Sequence, residues 1–332
     1  MRRQGCILWS IFATFAMMAC AALGADTPMV TDLTARQRYP WNGLVDISFT
    51  LSESGCIAVA ATNAATGAAV PVRTLRDKDG NAVGKFTEFA SGKGSLVWDA
   101  GTDVPDSLIE TFVLSVVGAP PHGKVQLWEG GPYWATENIG ADKPEDYGLY
   151  FWWGDTIGYR REGNAWVASD GSSQNFWFVH YTTPTHDKDN STLQSEGWIT
   201  EDGVLAPEHD AAHVHWGGAW RMPTKAELSA INDNCDWIWT TQGGVNGYVV
   251  RGRGNFAASS IFLPAAGYGS GTSLNDAGSY GYYWSSVPYK SVSEFAWGLG
   301  FASGHHYTSY YYRYGCRRLY GFSVRPAQGF AE

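Results

Sequence analysis

The sequence predicts an all-β sandwich at the N-terminus, followed by a larger α+β domain that is rich in loops. Three observations predict this arrangement. Apolar and polar residues alternate with a period of two in the first third of the chain, which is the pattern of half-buried strands. Two prolines and a glycine interrupt the chain within residues 119–124. Beyond that break the composition changes, because 13 of the 16 tryptophans lie between residues 128 and 297.

The overall composition excludes several classes of protein. Charged residues make up 17% of the 332 residues, aromatic residues make up 15%, and there are 40 glycines. A disordered chain would hold few aromatic residues, and a coiled coil would need more charge and less glycine. The formal net charge of −9 is unfavourable for binding a nucleic-acid backbone, which needs a cationic surface. We therefore expect a globular protein that has no nucleic-acid partner.

Residues 1–24 have the pattern of a secretory signal peptide. Arg2 and Arg3 precede an almost wholly apolar run over residues 6–23, and small residues follow at the expected cleavage point. Removal of this segment would take away two arginines and change the net charge from −9 to −11. The alternatives are an uncleaved membrane anchor and a lipoprotein that is modified at Cys20. No later segment is long and apolar enough to cross a bilayer, so we expect no membrane insertion after removal of the signal.

The segment over residues 28–118 is the predicted sandwich. Residues 44–51, 57–61 and 112–117 alternate apolar and polar side chains, and turn signals separate these runs. No part of the segment shows a helical period. The stretch VWDAGTDVPDSLIETFVLSVVG, residues 97–118, resembles the immunoglobulin-like or fibronectin-like modules of secreted bacterial proteins. That resemblance implies a spacer or attachment module.

After the linker at residues 119–124, one helix is well marked in the second domain, residues 125–327. Thr224 and Glu227 have the spacing of a capping box, and Pro223 precedes them. The helix should end near residues 232–234. Short apolar strands are expected at residues 261–263, 282–284, 295–301 and 321–325, and residues 267–271 are expected to form a flexible loop.

The second domain contains several short sequence blocks that follow one another in the same order as in a known family. They are YWA at 133–135, NIGA at 138–141, PEDYG at 144–148, WGD at 153–155, WGGAWRMPTKAEL at 216–228, CDWIWTTQGGVNGY at 235–248, SIFLPAAGY at 260–268, YGYYWSS at 280–286 and GFSVRP at 321–326. In these blocks the chain resembles the Fibrobacter succinogenes major paralogous domain, a family of secreted bacterial proteins. The resemblance implies a C-type-lectin-like fold that is related to the formylglycine-generating enzyme group.

The resemblance does not imply an enzymatic activity. The related oxidase group works through a pair of cysteines near its C-terminal region, and only Cys316 lies in that region here. Without the signal segment the remaining cysteines are Cys56, Cys235 and Cys316, so at most one disulfide can form. Their wide separation argues against a cysteine-based zinc site.

Three histidines are the strongest candidates for a metal site, although no cofactor is expected. His209 and His213 have the spacing that would place two imidazoles on one helix face, and His215 follows closely. The segment lacks the glutamate that zinc proteases use as a base, so a polar turn is the favoured interpretation. Binding of a calcium ion by the loops stays an open alternative, but no residues are assigned to it. Residues 77–80 and 187–190 begin like calcium-binding loops and lack the later residues that such loops need.

A second group of residues is assigned to the architecture of the domain. Thr224 and Glu227 should satisfy backbone groups at the start of the helix. Arg221 and Arg325 should hold loop carbonyls or carboxylates through their forked donors. Trp216 and Trp220 complete this structural set.

The segment HHYTSYYYRYGCRRLY, residues 305–320, has the composition of a binding surface. Six of its residues are Tyr, and His, Ser, Gly and Arg accompany them. Tyrosine gives a large rigid contact area at low entropic cost, and three arginines argue against burial of the segment. The predicted ligand-binding residues are Tyr289, Trp297, His305, His306, Tyr307, Tyr310, Tyr311, Tyr312, Arg313, Tyr314, Arg317 and Tyr320.

These observations predict a secreted or surface-exposed bacterial binding protein, with no catalytic residues, that recognises a protein or a carbohydrate. The residue types in the segment can all be reached from an asparagine codon by changing adenines, which is the pattern of a target of diversity-generating retroelements. Ordinary drift in a tyrosine-rich family is the alternative explanation. The competing functions are a metal-dependent hydrolase, a glycan-modifying enzyme that uses acids such as Glu201 and Asp202, and a structural envelope protein.

Overall fold

The computed structural model describes residues 27–39, 42–72, 74–78, 80, 83, 86–105, 112–119, 121–169, 183–309 and 316–329. The predicted signal segment, residues 1–24, lies outside them. The chain forms two compact units: one comprises residues up to His122 with Trp216–Gly218, and the other comprises Gly123–His215 and the chain from Ala219 onward. None of the helices in the described ranges combines the length and the apolar character that a membrane crossing requires.

The first unit is built from antiparallel strands. One sheet has the order β1-β2-β7-β5, and in the other β3 pairs with β4, β6 and β8. The elements are β1 (Val30–Gln37), β2 (Leu44–Leu51), β3 (Gly55–Asn63), β4 (Ala69–Val70), β5 (Leu75–Arg76), β6 (Phe86–Phe89), β7 (Gly92–Asp99), α1 (Ala100–Asp103) and β8 (Phe112–Ala119).

One hydrophobic core draws on both sheets of this unit. Ile47 of β2, Val59 of β3 and Trp98 of β7 are all buried in it, as the alternation in the sequence predicts. The short helix α1 was not expected from the sequence, because a single turn is too short to show a helical period. It forms where Asp99 accepts the Thr102 N–H at 3.0 Å and Trp98 donates its indole N–H to Asp103 at 2.7 Å.

The second unit has small antiparallel sheets and short helices joined by long loops. The sheets have the orders β13-β22-β10-β9, β11-β12, β14-β15-β16, β17-β18 and β19-β20-β21. The elements are β9 (Lys124–Gln126), β10 (Tyr133–Ala135), β11 (Tyr159–Glu162), β12 (Ala165–Ala168), α2 (Asn190–Ser195), α3 (Ala211–Trp216), β13 (Trp220–Arg221), α4 (Lys225–Asn234), β14 (Cys235–Gln242), β15 (Val245–Gly252), β16 (Ser260–Pro264), β17 (Tyr268–Ser270), β18 (Ser273–Asn275), β19 (Tyr280–Pro288), β20 (Ala296–Ala302), β21 (His305–Ser309) and β22 (Ala327–Gln328).

The sheet β19-β20-β21 separates two hydrophobic cores of the second unit. Tyr282, Trp284 and Ala296 belong to one core. Tyr283 and Phe301 belong to the other, on the opposite face of the sheet. Successive side chains of a strand point to opposite faces, so the run Tyr282-Tyr283-Trp284 supplies both cores. Together with the first unit, this gives a mostly β fold with few helices and many loops.

The helix α4 begins with the capping box that the sequence predicts. Thr224 accepts the Glu227 N–H at 3.2 Å, and the Glu227 carboxylate accepts the Thr224 N–H at 2.7 Å. Glu227 is buried, and Arg221 donates to both of its oxygens at 2.8 and 2.6 Å. The cap therefore also contains a two-point ion pair, which satisfies the buried carboxylate.

Two expectations from the sequence need correction. Residues 267–271, expected as a flexible loop, include β17, which pairs with β18. Residues 321–325, expected as a strand, make isolated bridges instead, with Gly321, Phe322 and Ser323 each pairing with a different segment. The strands β17 and β18 are neighbours of three residues each, too short to show a period of two, whereas the partners of residues 321–323 lie far away in the sequence. A local pattern therefore revealed neither arrangement.

Candidate functional site

The sheet β19-β20-β21 carries a row of residues that point to one face. Tyr282 of β19 pairs with Gly300 of β20, and Gly300 pairs with Tyr307 of β21. Paired residues in neighbouring strands point to the same side, so the two tyrosines share a face with a glycine between them. Tyr280 lies two residues before Tyr282 and therefore also points to this side.

A contact between glycines adds two more tyrosines to this face. Gly269 and Gly321 exchange backbone hydrogen bonds, with N···O distances of 2.8 and 2.9 Å. Each glycine follows a tyrosine, and the rings of Tyr268 and Tyr320 lie 5.2 Å apart. Tyr268 in turn packs edge-on against the Tyr282 ring at 5.3 Å. The chain thus brings together residues from β17, β19 and the C-terminal segment.

We call the resulting group the tyrosine face, which consists of Tyr268, Tyr280, Tyr282, Tyr307 and Tyr320. Tyr282 is buried and forms its floor, and the other four are half-buried against the same hydrophobic core. Tyr280 stacks on Tyr282 at 6.2 Å, and the buried ring of Phe322 stacks on Tyr282 from below at 5.2 Å. The rings support one another, so this surface is both aromatic and fixed in shape.

Only some of the residues predicted from the sequence lie on the tyrosine face. Tyr307 and Tyr320 belong to it, and His305 stacks on Tyr307 at 6.1 Å. Tyr310, Tyr311, Tyr312, Arg313 and Tyr314 lie outside the described residues. Ser309 and Cys316 flank these residues in the sequence, and the Cys316 thiol donates to the Ser309 carbonyl at 3.4 Å. The two described ends of the predicted segment therefore meet beside the face.

The remaining predicted residues that the structure describes lie in three separate places. Tyr289 packs edge-on against Trp297 at 5.5 Å, and the ammonium group of Lys225 lies 3.8 Å from the centre of the Trp297 ring. This group lies at the end of β20 that is remote from His305. Arg317 pairs with Glu294 at 2.8 Å, and both side chains are partly exposed.

His306 lies on the opposite side of β21 from Tyr307. Its ring stacks on Trp237 at 4.2 Å, and its Nδ1 atom lies 2.9 Å from the Asn232 side-chain oxygen. Burial and the neighbouring His305 lower the pKa of His306 below its ordinary value. These contacts belong to the core beneath α4 and not to the tyrosine face.

The argument that three arginines keep the segment out of the core is wrong for Arg318. This side chain is fully buried, and its guanidinium donates to the carbonyls of Phe295, Thr185 and Lys188 at 3.0, 2.9 and 2.7 Å. It also lies over the Trp153 ring at 4.9 Å. The hydrogen bonds of Nε and Nη1 to these carbonyl oxygens offset part of the cost of burial, while Nη2 is buried without a hydrogen-bond partner among the described residues. Burial lowers the pKa of Arg318 to about 10.

Sequence reasoning missed Tyr268, Tyr280 and Tyr282 as members of the surface. The alternation in YGYYWSS was a usable signal for Tyr280 and Tyr282, because it places them on one face of a strand. Tyr268 gave no local signal, since its place depends on the pairing between Gly269 and Gly321.

The three histidines do not share one helix face. A 3-10 turn ends at His209 and α3 begins at Ala211, because Asp210 between them has an extended backbone. His209 stacks on Trp198 at 3.9 Å, while His215 lies 3.0 Å from the Thr156 carbonyl. Among the described residues, no group of three or more His, Cys, Asp or Glu side chains could hold a metal ion.

Asp210 instead organises the backbone around it. Its carboxylate accepts the N–H groups of Ala212, His213 and Met222 at 2.8–3.0 Å. The side chain is buried, and this desolvation raises the pKa of Asp210 in spite of the hydrogen bonds. Asp189, in one of the segments that begin like a calcium loop, likewise caps α2 by accepting the Thr192 N–H at 2.8 Å. Both acids have structural partners.

The residues assigned to the architecture lie within the fold. Arg221 pairs with Glu227, and Trp220 is fully buried on β13. Trp216 is buried at the end of α3. Arg325 is buried and donates to four oxygens of the second unit.

Comparison with known protein families gives a match to the C-terminal part of the chain. Residues 237–326 match a family described as a domain of unknown function, DUF8237. The matched segment begins in β14 and includes every member of the tyrosine face. No curated protein and no solved structure matches the chain.

Proposed function

We propose that this chain is a secreted or surface-exposed binding protein, without catalytic activity, that recognises a protein or a glycan through the tyrosine face. The single observation that carries this proposal is the clustering of four half-buried tyrosines around the buried ring of Tyr282. The outer rings are half-buried, so part of each is accessible to a ligand.

The chemistry of tyrosine supports this function. Each phenol combines an apolar ring with a hydroxyl group that can donate and accept a hydrogen bond. Tyr268 and Tyr320 support each other at 5.2 Å, and Tyr280 rests on Tyr282. Rings that are already fixed lose little further freedom when a ligand binds, so more of the contact energy contributes to affinity.

The other parts of the proposal rest on the sequence. The signal-like segment supports export, and the first unit, which resembles a spacer or attachment module, would present the second unit outside the cell. The predicted residues 310–314 lie outside the described residues, and their part in ligand binding rests on their composition alone. The fold that the resemblance implies, a C-type-lectin-like domain, is part of the same proposal.

The experiment is a binding measurement with the chain that begins at Ala25. It is applied to an array of bacterial and host glycans and to an array of extracellular proteins. The variants Tyr307→Ser and Tyr320→Ser test the face, and Tyr133→Ser is the matched control, since Tyr133 is 42% exposed elsewhere in the second unit.

We expect binding on at least one array, weakened about tenfold or more by either face variant and unchanged in the control. Circular dichroism and thermal unfolding establish that the variants are folded. The proposal is wrong if the folded chain binds neither array, or if folded face variants bind as well as the control.

A further inference from the structure

A second surface of the same unit has the features of a small-molecule site. It is an open cleft of about 300 Å³ that is lined by Trp128, Glu129, Asn234, Arg253, Asn255 and Phe256. The residues come from three places: the turn after β9, the last residue of α4 and the turn after β15. The volume lies at the lower end of the range for ligand pockets. No member of the tyrosine face lines the cleft.

The aromatic residues of the cleft are held in place by glycines. A Cβ atom at Gly131 would lie 2.4 Å from the Trp128 ring, so only glycine lets the indole pack on this turn. The Gly131 N–H also donates to the Trp128 carbonyl at 3.1 Å. A Cβ atom at Gly252 would lie 2.6 Å from the Cβ atom of Phe256. Both rings are half-buried, which leaves part of each accessible from the cleft.

One of the four polar side chains in the cleft already forms hydrogen bonds within the protein, and the other three can form hydrogen bonds with a ligand. Arg253 donates to Asp236, to the Asp233 carbonyl and to the Cys235 carbonyl, each at 2.7 Å. Its charge is therefore balanced, and it fixes the junction between α4 and β14.

The other three polar side chains keep hydrogen-bonding capacity. Asn234 uses only its NH₂ group, which donates to the Ala230 carbonyl at 2.9 Å. Within the described part of the chain, Glu129 and Asn255 have no side-chain partner, and both are exposed. The cleft thus offers two amides and one carboxylate around two fixed rings.

The two aromatic rings, two amides and one carboxylate of the cleft favour a neutral ligand that carries hydroxyl groups. A phosphate or sulfate group would meet the unbalanced charge of Glu129, while the positive charge of Arg253 is already compensated by Asp236. A side-chain amide donates to and accepts from hydroxyl groups, and a carboxylate accepts from them; a neutral polyol offers several hydroxyl groups that can do both. The C–H face of a pyranose ring is apolar and packs on an aromatic ring.

We infer that the cleft between Trp128 and Phe256 binds a neutral saccharide unit, with the sugar ring on the aromatic residues and its hydroxyl groups on Glu129, Asn234 and Asn255. The site is separate from the tyrosine face and does not depend on the function proposed for that face.

The test uses saturation-transfer NMR with the folded chain that begins at Ala25. The probes are methyl glycosides of glucose, galactose, mannose, fucose and N-acetylglucosamine, with tetramethylammonium as a cationic probe. The site variants are Asn255→Ala and Glu129→Gln. The matched controls are Asn164→Ala and Glu208→Gln, which change exposed residues of the same unit. Tyr320→Ser serves as the control for the tyrosine face.

We expect saturable binding of at least one glycoside, weakened about tenfold by each site variant and unchanged by the three controls. Three results would overturn the inference: no saturable binding of any glycoside, glycoside binding that Tyr320→Ser abolishes while the site variants keep it, or Glu129-dependent binding of tetramethylammonium alone. Because Tyr320→Ser is included, failure of this site is distinguishable from failure of the tyrosine face.

Discussion

The guanidinium of Arg325 donates to the side-chain oxygen of Asn138 at 2.9 Å, and both side chains are buried in the second unit. Arg325 also donates to the carbonyls of Ala135, Thr136 and Phe262 at 3.1, 2.9 and 2.9 Å. Asn138 extends this hydrogen-bond network, because its NH₂ group donates to the Tyr147 carbonyl at 3.0 Å. One side chain near the C-terminus thus joins the beginning of the unit to β16.

Replacement of Arg325 by methionine should destabilise the second unit severely. The change keeps much of the buried volume and leaves four acceptor oxygens without their donor, three of them in buried hydrogen bonds, so we expect a loss of at least about 3 kcal/mol in the free energy of unfolding. Denaturant unfolding followed by tryptophan fluorescence measures it.

The matched control for Arg325→Met is Arg160→Met. Arg160 pairs with Glu162 on the surface, where both side chains are more than half exposed. Such pairs contribute about 1 kcal/mol or less, so the control should be close to wild type. Equal losses in the two variants would contradict the role of Arg325.

Removal of the Glu227 carboxylate from the cap of α4 should lower the free energy of unfolding more than removal of the Thr224 hydroxyl. Glu227→Ala removes the partner of Arg221 and the acceptor for the Thr224 N–H, and it empties a buried site, so we expect a loss of about 3–5 kcal/mol. Thr224→Ala removes one capping bond and should cost about 1 kcal/mol. Thermal unfolding of both variants gives the order, and a larger loss for Thr224→Ala would show that the ion pair contributes little.

Local patterns predicted the parts of this unit whose partners are near in sequence. The capping box of Thr224 and Glu227 is present because its two residues lie within one turn of helix. The exchange between Gly269 and Gly321, which creates the tyrosine face, joins segments that are distant in sequence and show no shared pattern. Residue chemistry identified Arg325 as a ligand of carbonyls, and only the structure shows which carbonyls these are.

Composition was a weaker guide to the candidate site. The density of tyrosine pointed to residues 305–320, and the face does include Tyr307 and Tyr320. The same segment contains Arg318, which is buried because loop carbonyls surround its guanidinium. The charge of an arginine did not predict its exposure here. Whether a buried guanidinium finds acceptors depends on the three-dimensional arrangement of the chain, which composition does not show.

Acid should destabilise the packing around His306. Burial lowers the pKa of this imidazole in the folded chain, so the unfolded chain binds the proton first as the pH falls. The contribution to stability is therefore complete above the ordinary histidine pKa of about 6.5 and is lost as the pH falls through the lower value of the folded state.

The variant His306→Phe keeps an aromatic ring against Trp237 and cannot titrate. The loss of unfolding free energy between neutral and mildly acidic pH should be smaller in this variant than in wild type. His305→Phe should reduce the pH dependence less than His306→Phe does, because His305 is exposed and supplies only the smaller of the two causes of the shift. Identical pH profiles for wild type and His306→Phe would contradict the prediction.

The three thiols of the chain that begins at Ala25 should be reduced and unreactive in the native state. Cys56, Cys235 and Cys316 are buried, and none of them forms a disulfide within the described part of the chain. Desolvation raises the pKa of Cys56 and of Cys235 to about 12, and the thiolate is the reactive form. In the chain that begins at Ala25, we expect no thiol to react with Ellman's reagent at mildly alkaline pH, and all three to react in denaturant. Reaction of only one thiol in denaturant would reveal a disulfide, and rapid reaction of the native chain would show that at least one cysteine is accessible.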